Sequence, residues 1–380
     1  MAAAGVIDTF SLPDHLEAAE PPEARGLNRD QVRLLVSNVA TDAIDHAHFS
    51  DLPHWLSPGD LLVVNTSGTL NAALDARAES GESIELHLST QMPGNFWVVE
   101  ARRRAANGSS PYDDALAGTR LQLESGGWAT LLAPYPLAAS LAAHSRLWLA
   151  ALELDEPVLS YLERSGKPIR YRYVRSAWPS SMYQTVFATE PGSAEMPSAA
   201  RPFTAELVTR LVSHGVQIAP LLLHTGVASL EKHEPPYEEY FRVPSDTADR
   251  INAARRRGHR VIAVGTTVVR ALETVTDHRG TTSPGEGWTN LVITPERALQ
   301  AVTGLITGLH EPRATHLAIV TQVLAAAGSS APSAHLDRAY SEALDAGYLW
   351  HEFGDSHLIV GHASDAVTAP GTPAALRSTR

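Results

Sequence analysis

Histidine is the side chain best matched to proton transfer near neutral pH, and two histidines of this chain sit where such chemistry is built. His224 ends an apolar run at 220–223, and His310 lies between Leu309 and Glu311-Pro312 in what reads as a loop. Each also reads as a packed histidine satisfied by its neighbours. A third group, Gly265-Thr266-Thr267 followed by Arg270, has the composition of a polar turn opening a helix. Helix N-termini carry unpaired amides that favour anionic or polar ligands, so Thr266, Thr267 and Arg270 are placed to meet one. Threonine is equally a favoured cap residue, and Thr266 as a plain cap is the alternative.

These side chains need a frame, and the stretch 260–274, RVIAVGTTVVRALET, supplies its clearest piece. Val261-Ile262-Ala263-Val264 is the β-branched pattern of a strand buried on both faces. The Gly-Thr-Thr turn follows, and helical spacing begins at Val268. The Arg-rich run 253–260 reads as the end of a preceding helix. Together they form an α/β crossover, in which ligands sit at the carboxyl ends of strands. The same texture predicts strands at 32–36, 61–64, 216–223 and 291–294. Helices are predicted at 204–214, 245–257, 315–327 and 333–346. Between 70 and 173 it changes to short alternating runs separated by Gly, Asn, Ser and Pro, as in ESGE, PGN, NGSSP and APYP. Closely spaced short strands with turn signals predict a small all-β barrel, with 107–111 as a mobile loop. The expected fold is an α/β main domain (1–69 and 174–362), an inserted β-barrel domain (70–173) and a disordered tail (363–380).

Composition narrows the classes. A chain of 380 residues that is 44% hydrophobic can bury a full core, and no apolar run is long enough to span a membrane. The first residues lack the basic and apolar regions of a secretory signal. The absence of cysteine excludes disulfides and thiolate metal sites and fits a cytoplasmic protein, expected to be a monomer. A net charge of -12 argues against nucleic-acid binding over the whole surface but leaves room for a local basic patch. Arg164, Lys167, Arg170, Arg172 and Arg175 interleave with Tyr161, Tyr171 and Tyr173. That is the composition of a single-stranded RNA surface, or, by its period-two alternation, of a strand with one solvated basic face. His233, His316, His351 and His357 match no common zinc spacing, so no metal is expected.

Several short stretches, in order, resemble the S-adenosylmethionine:tRNA ribosyltransferase-isomerase family of queuosine biosynthesis. Ala263 to Glu273 (AVGTTVVRALE) is close to that family's AVGTTSVRTLE. PGDLLVVNT at 58–66, YQTVFA at 183–188, LHTG at 223–226, TGLHEP at 307–312, and Phe353-Gly354-Asp355 with Leu358-Ile359 keep the same order and spacing. The departures cluster in loops. Glu195 stands where the family has a small residue, Pro202 replaces a histidine, Tyr237 takes the place of another, and Arg170-Tyr171-Arg172-Tyr173-Val174 replaces LPPYI.

The resemblance implies a two-domain enzyme that takes S-adenosylmethionine as co-substrate and needs no metal. Such an enzyme moves the ribosyl part onto a 7-aminomethyl-7-deazaguanine of tRNA, releasing adenine and methionine and forming an epoxycyclopentane. Four residues come forward as catalytic candidates: His224, His310 and Asp355 on stretches that match the family, and Glu195 as a departure from it. Glu195 is readable as a replacement acid or base, or as a solvated loop carboxylate; aspartate is common in turns like that of Asp355 for backbone reasons. The substrate-binding candidates are Asn65, Thr66, Tyr183, Gln184, Ser193, Pro197, Ser198, Thr225, Gly226, Gly265, Thr266, Thr267 and Arg270. Because the departures fall in these loops, a paralogue with a small-molecule acceptor or a different sulfonium chemistry is the alternative to tRNA. A non-catalytic S-adenosylmethionine-binding protein is the second.

Overall fold

A computed structural model describes residues 10–105, 108–135, 146–227, 237–312 and 314–361; the expected disordered tail lies outside them. The chain begins with a hairpin, β1 (Arg33–Asn38) and β2 (Ala43–His48), then β3 (Leu61–Asn65) and β4 (Ser67–Thr69). Seven strands follow: β5 (Ala73–Ala78), β6 (Ser83–Met92), β7 (Phe96–Ala105), β8 (Gly108–Pro111), β9 (Arg120–Leu123), β10 (Trp128–Tyr135) and β11 (Leu147–Glu153). The chain continues through α1 (Val158–Ser165), β12 (Glu190–Ser193), α2 (Ala205–Ser213), β13 (Gln217–Leu223), β14 (Glu239–Val243) and α3 (Ser245–Arg256). It closes with β15 (Val261–Val264), α4 (Thr266–Val275), β16 (Gly285–Thr289), β17 (Gly304–Gly308), α5 (His316–Ala326), α6 (Pro332–Asp345) and β18 (Ser356–Val360).

Two sheets organise these elements. A nine-stranded mixed sheet has the order β16-β14-β13-β3-β15-β17-β18-β1-β2. Its centre, β13-β3-β15-β17, is parallel, and its strands are continuous apolar runs because helices cover both faces. The second sheet runs β11-β10-β9-β5-β6-β7, and β11 pairs back onto β7, so six antiparallel strands close into a barrel. Closure removes the exposed edges that short strands otherwise present. Leu74, Leu86, Leu88, Val99, Leu121 and Leu131 fill it, each 2% exposed or less. α1 lies within the stretch expected to be all-β, because Tyr161 and Leu162 bury against this same core.

Four local expectations are corrected. The strand expected at 291–294 is irregular; the pairing strand is β16, whose alternating Glu286 and Trp288 suit a peripheral strand. Residues 108–111 of the expected mobile loop pair with β7 as β8. Residues 170–173 form a turn with no ladder partner, so their alternation is not that of a strand. At α4 the cap position is Gly265, with φ 101° and ψ 150°, and Thr266 is the first helical residue. Only glycine adopts that backbone readily, so the turn, not a hydroxyl, starts the helix.

Candidate active site

Strand register brings the chemistry to one edge of the large sheet. Leu221 lies opposite Asn65, Val64 beside Pro220, and Val264 opposite Ile306, so the carboxyl ends of β13, β3, β15 and β17 share an edge. Gly308 pairs with Ser356, which adds the start of β18 to the same edge. His224-Thr225-Gly226, Asn65-Thr66, Gly265-Thr266-Thr267, His310 and Asp355 therefore line it in strand order. The loop after β12 closes on them: a methyl at Gly265 would lie 3.6 Å from Ala199 Cβ. At about 4.8 Å per strand, His224 and Asp355 are four strands, roughly 19 Å, apart. One edge carries both, but they do not act on one atom.

The proton-handling end is at β13. Ser67 Oγ lies 2.8 Å from His224 Nδ1 and 2.6 Å from Ser193 Oγ, which in turn accepts the Thr225 amide at 2.9 Å. β4 pairs with β12, which is what places Ser67 beside Ser193. Gly192 lies against the imidazole, since a Cβ there would come within 2.3 Å of the ring. Burial pushes the His224 pKa below its ordinary value, with Glu190 opposing and Arg242 adding to the shift. The ring is neutral at pH 7, and the hydroxyl chain accommodates both tautomers. When Ser67 donates to Nδ1, Nε2 carries the proton; when Nδ1 donates to Ser67, Nε2 is a free base.

Many of the other candidates fasten the edge together. The Asn65 side chain accepts from the Ser67 and Leu223 amides at 3.1 and 3.0 Å and donates to Leu223 O at 2.8 Å. Thr66 Oγ1 donates to Leu221 O at 3.0 Å. Gln184 clamps Thr69 through both its amide atoms, at 2.7 and 3.0 Å, and Tyr183 is buried against Phe353. Arg270 pairs with the buried Glu239, whose other oxygen accepts the Gly226 amide at 3.0 Å. Arg270 Nε also donates to Leu291 O at 3.0 Å. Asp355, 6% exposed, accepts from the amides of Arg33 and Leu349, both at 2.8 Å, and from the Arg33 guanidinium. Pro197 is buried, and Ser198 lines a water-sized cavity beside Asp355. Glu195 is half-buried; burial, then the Glu239 charge and to a lesser extent that of Glu195, pushes the Tyr237 hydroxyl pKa well up.

His310 Nε2 is 2.9 Å from Thr307 Oγ1, and its ring stacks on His316 at 4.8 Å. Burial, then the neighbouring His316 and His357, hold it well below its ordinary pKa. Among the described residues, no group of three or more His, Asp or Glu is arranged to hold a metal ion.

Three features escaped sequence reasoning. Ser67 and Ser193 complete the His224 chain; Ser193 was a binding candidate, and Ser67 carried no signal beyond following Asn65-Thr66. Glu352 accepts the Tyr173 hydroxyl while its other oxygen has no partner among the described residues, and burial pushes its pKa up to about 7. A cavity of about 1250 Å³ lies between the barrel strands β6 and β7 and the segment 167–178, reaching Tyr183 and Val227 at the sheet edge.

Comparison with known proteins shows the family. A model of the family described as queuosine biosynthesis protein matches residues 8–359. The S-adenosylmethionine:tRNA ribosyltransferase-isomerase of Moorella thermoacetica is 37% identical over 364 residues, covering 92% of this chain and 98% of that protein. The protein of the same name from Carboxydothermus hydrogenoformans is 34% identical over 363 residues, with the same coverage of both. A solved S-adenosylmethionine tRNA ribosyltransferase from Thermotoga maritima is 28% identical, covers 93% of this chain and 100% of its own, and superposes with a TM-score of 0.48. With the match running through both sheets and every strand end of the site, the chain belongs to the queuosine biosynthesis protein family.

Proposed function

We propose that this protein is an S-adenosylmethionine-dependent ribosyltransferase-isomerase acting on a 7-aminomethyl-7-deazaguanine in tRNA. The family match over 8–359 and relatives of that name along nearly their whole length support the reading. The observation that carries it is the neutral His224 held by Ser67 and Ser193 at the carboxyl edge of the sheet.

The reaction asks for proton movement rather than redox change. The sulfonium acidifies the adjacent 5′ carbon of S-adenosylmethionine, a positioned base removes that proton, and an acid assists adenine departure. His224, with Nε2 free in one tautomer and protonated in the other, suits both steps, and Ser67-Ser193 lets the tautomer exchange. The donor lies along the strand ends over Gly265-Thr266-Thr267, where the amides of Thr266 and Thr267 have no partner among the described residues, with His310 beyond it. Glu195, on the loop that closes on Gly265, is the carboxylate candidate for the second proton-transfer role. The main domain comprises 1–69 and 174–362, and the barrel domain 70–173.

The test is mass analysis of nucleosides from tRNA bearing the deazaguanine after incubation with protein and S-adenosylmethionine. The reading expects the base to gain the ribosyl-derived unit, and His224→Gln to lose at least about a hundredfold in rate. An unchanged nucleoside with wild-type protein contradicts it.

A further inference from the structure

On a chain of net charge -12, the 1250 Å³ cavity is lined by six Arg and Lys against two Glu. The cations are of two kinds. Arg102 and Arg104 are paired with Glu100, Asp75 and Glu85, and Lys167 with Asp75, at 2.6 Å. Arg170, Arg172 and Arg175 are exposed, and no carboxylate among the described residues lies within ion-pair distance of them. Among the described residues Arg170 donates only to Arg175 O, at 3.3 Å, which tightens the turn carrying all three.

Rings are stacked beside these arginines. Tyr171 stacks on Tyr173 with centroids 5.8 Å apart and planes 18° apart, and Tyr173 on His351 at 3.9 Å and 9°. The Tyr173 hydroxyl is tied to Glu352, and its own pKa is driven well up by burial. The inner end of the stack is thus locked into the protein, and Tyr171, half-buried, is its outer end. The volume exceeds that of ordinary small-ligand pockets, about 300–1,000 Å³. A rigid aromatic face, free guanidinium groups and an open groove are what a single-stranded nucleic acid requires: a ring to stack on and cations to neutralise phosphates.

We propose that the segment 170–178 is a docking platform for a single-stranded RNA loop, with an unpaired base on Tyr171 and phosphates on Arg172 and Arg175. The proposal rests on tRNA being the partner of this site, and it assigns the docking surface. Because Tyr183 and Val227 line the same cavity, an RNA loop seated there delivers a neighbouring base to the His224 end of the edge.

The test is tRNA binding by fluorescence anisotropy across a potassium chloride series, with unmodified transcript and with tRNA bearing the deazaguanine. Arg172→Ala/Arg175→Ala is expected to flatten the slope of log K against log salt by about 1.4, two single-strand phosphates. Tyr171→Ala is expected to weaken binding by about 5- to 150-fold, the range for one stacked base, while Tyr171→Phe stays near wild type. The KM for S-adenosylmethionine is expected to stay the same in all three. Unchanged affinity and salt slope in the double variant overturn the platform, even if the wild type turns over tRNA. If these binding losses occur but the wild type leaves the bound deazaguanine unmodified, the platform stands and the proposed reaction fails.

Discussion

Arg270 offers the sharpest separation between a ligand contact and a structural tie. Its guanidinium side chain is 14% exposed and its partner Glu239 is 8% exposed. Arg270→Met leaves the Glu239 carboxylate buried with the Gly226 amide on one oxygen and nothing cationic on the other. Breaking a buried pair on one side costs about 3–5 kcal/mol. For a chain of this size roughly 2 °C accompanies each kcal/mol, so the melting temperature should fall by about 6–10 °C. The double variant Arg270→Met/Glu239→Gln leaves no buried charge and should recover most of the loss. Thermal unfolding and S-adenosylmethionine binding by calorimetry, measured on all three proteins, give the answer. The structural account expects the double variant to regain both stability and affinity. Regained stability with affinity still reduced tenfold or more would refute it, and Arg270 would then hold the donor directly.

Three further outcomes follow from the geometry. Gly265→Ala should lose about 1–3 kcal/mol in denaturant unfolding, because its φ of 101° is glycine territory; no loss would mean that the turn relaxes freely. Glu352 has its pKa raised from 4.5 to about 7, so its contribution to stability is complete below about pH 4.5 and is lost as pH rises through 7. That contribution is about 3 kcal/mol. Glu352→Gln, which keeps an acceptor for Tyr173, should therefore gain stability relative to wild type between pH 5.5 and pH 8.5, and a constant difference would contradict the assignment. His224, held below its ordinary pKa by burial, stays neutral as pH falls past 6.5, so the acid limb of the rate profile should lie below that of an exposed histidine. A limb at 6.5 or higher would show a solvated ring.

Much of the frame was legible from local pattern. The run Val261–Val264 reads as a doubly buried strand because nothing in it is polar, and the barrel is visible as short runs between turn residues. What sequence pattern could not convey is where a polar side chain finds its partner. Arg270 looks like a ligand contact because it lies one turn into a helix after a Gly-Thr-Thr turn, yet its partner Glu239 is on a strand in another part of the chain. In the same stretch, Arg260 binds the buried Asp60, and Glu273 accepts the amides of Gln300, Ala301 and Val302. The stretch that best marks the family thus carries much of the site's scaffolding. Ser67 escaped notice for the same reason: its importance depends on β4 lying against β12, a pairing across more than a hundred residues. The alternation of Arg170 to Tyr173 suggested a strand, and only the turn that it forms puts the arginines on one surface and the rings in a stack.

The central claim is that the His224 edge consumes S-adenosylmethionine in answer to a deazaguanine-bearing tRNA. Quantifying adenine and methionine after incubation with S-adenosylmethionine, with that tRNA, with its unmodified transcript and with none, tests it most directly. The account predicts adenine and methionine in equal amounts, matching the modified tRNA supplied, and almost none in the other two reactions. Release that does not depend on the deazaguanine, or no release at all, would contradict it.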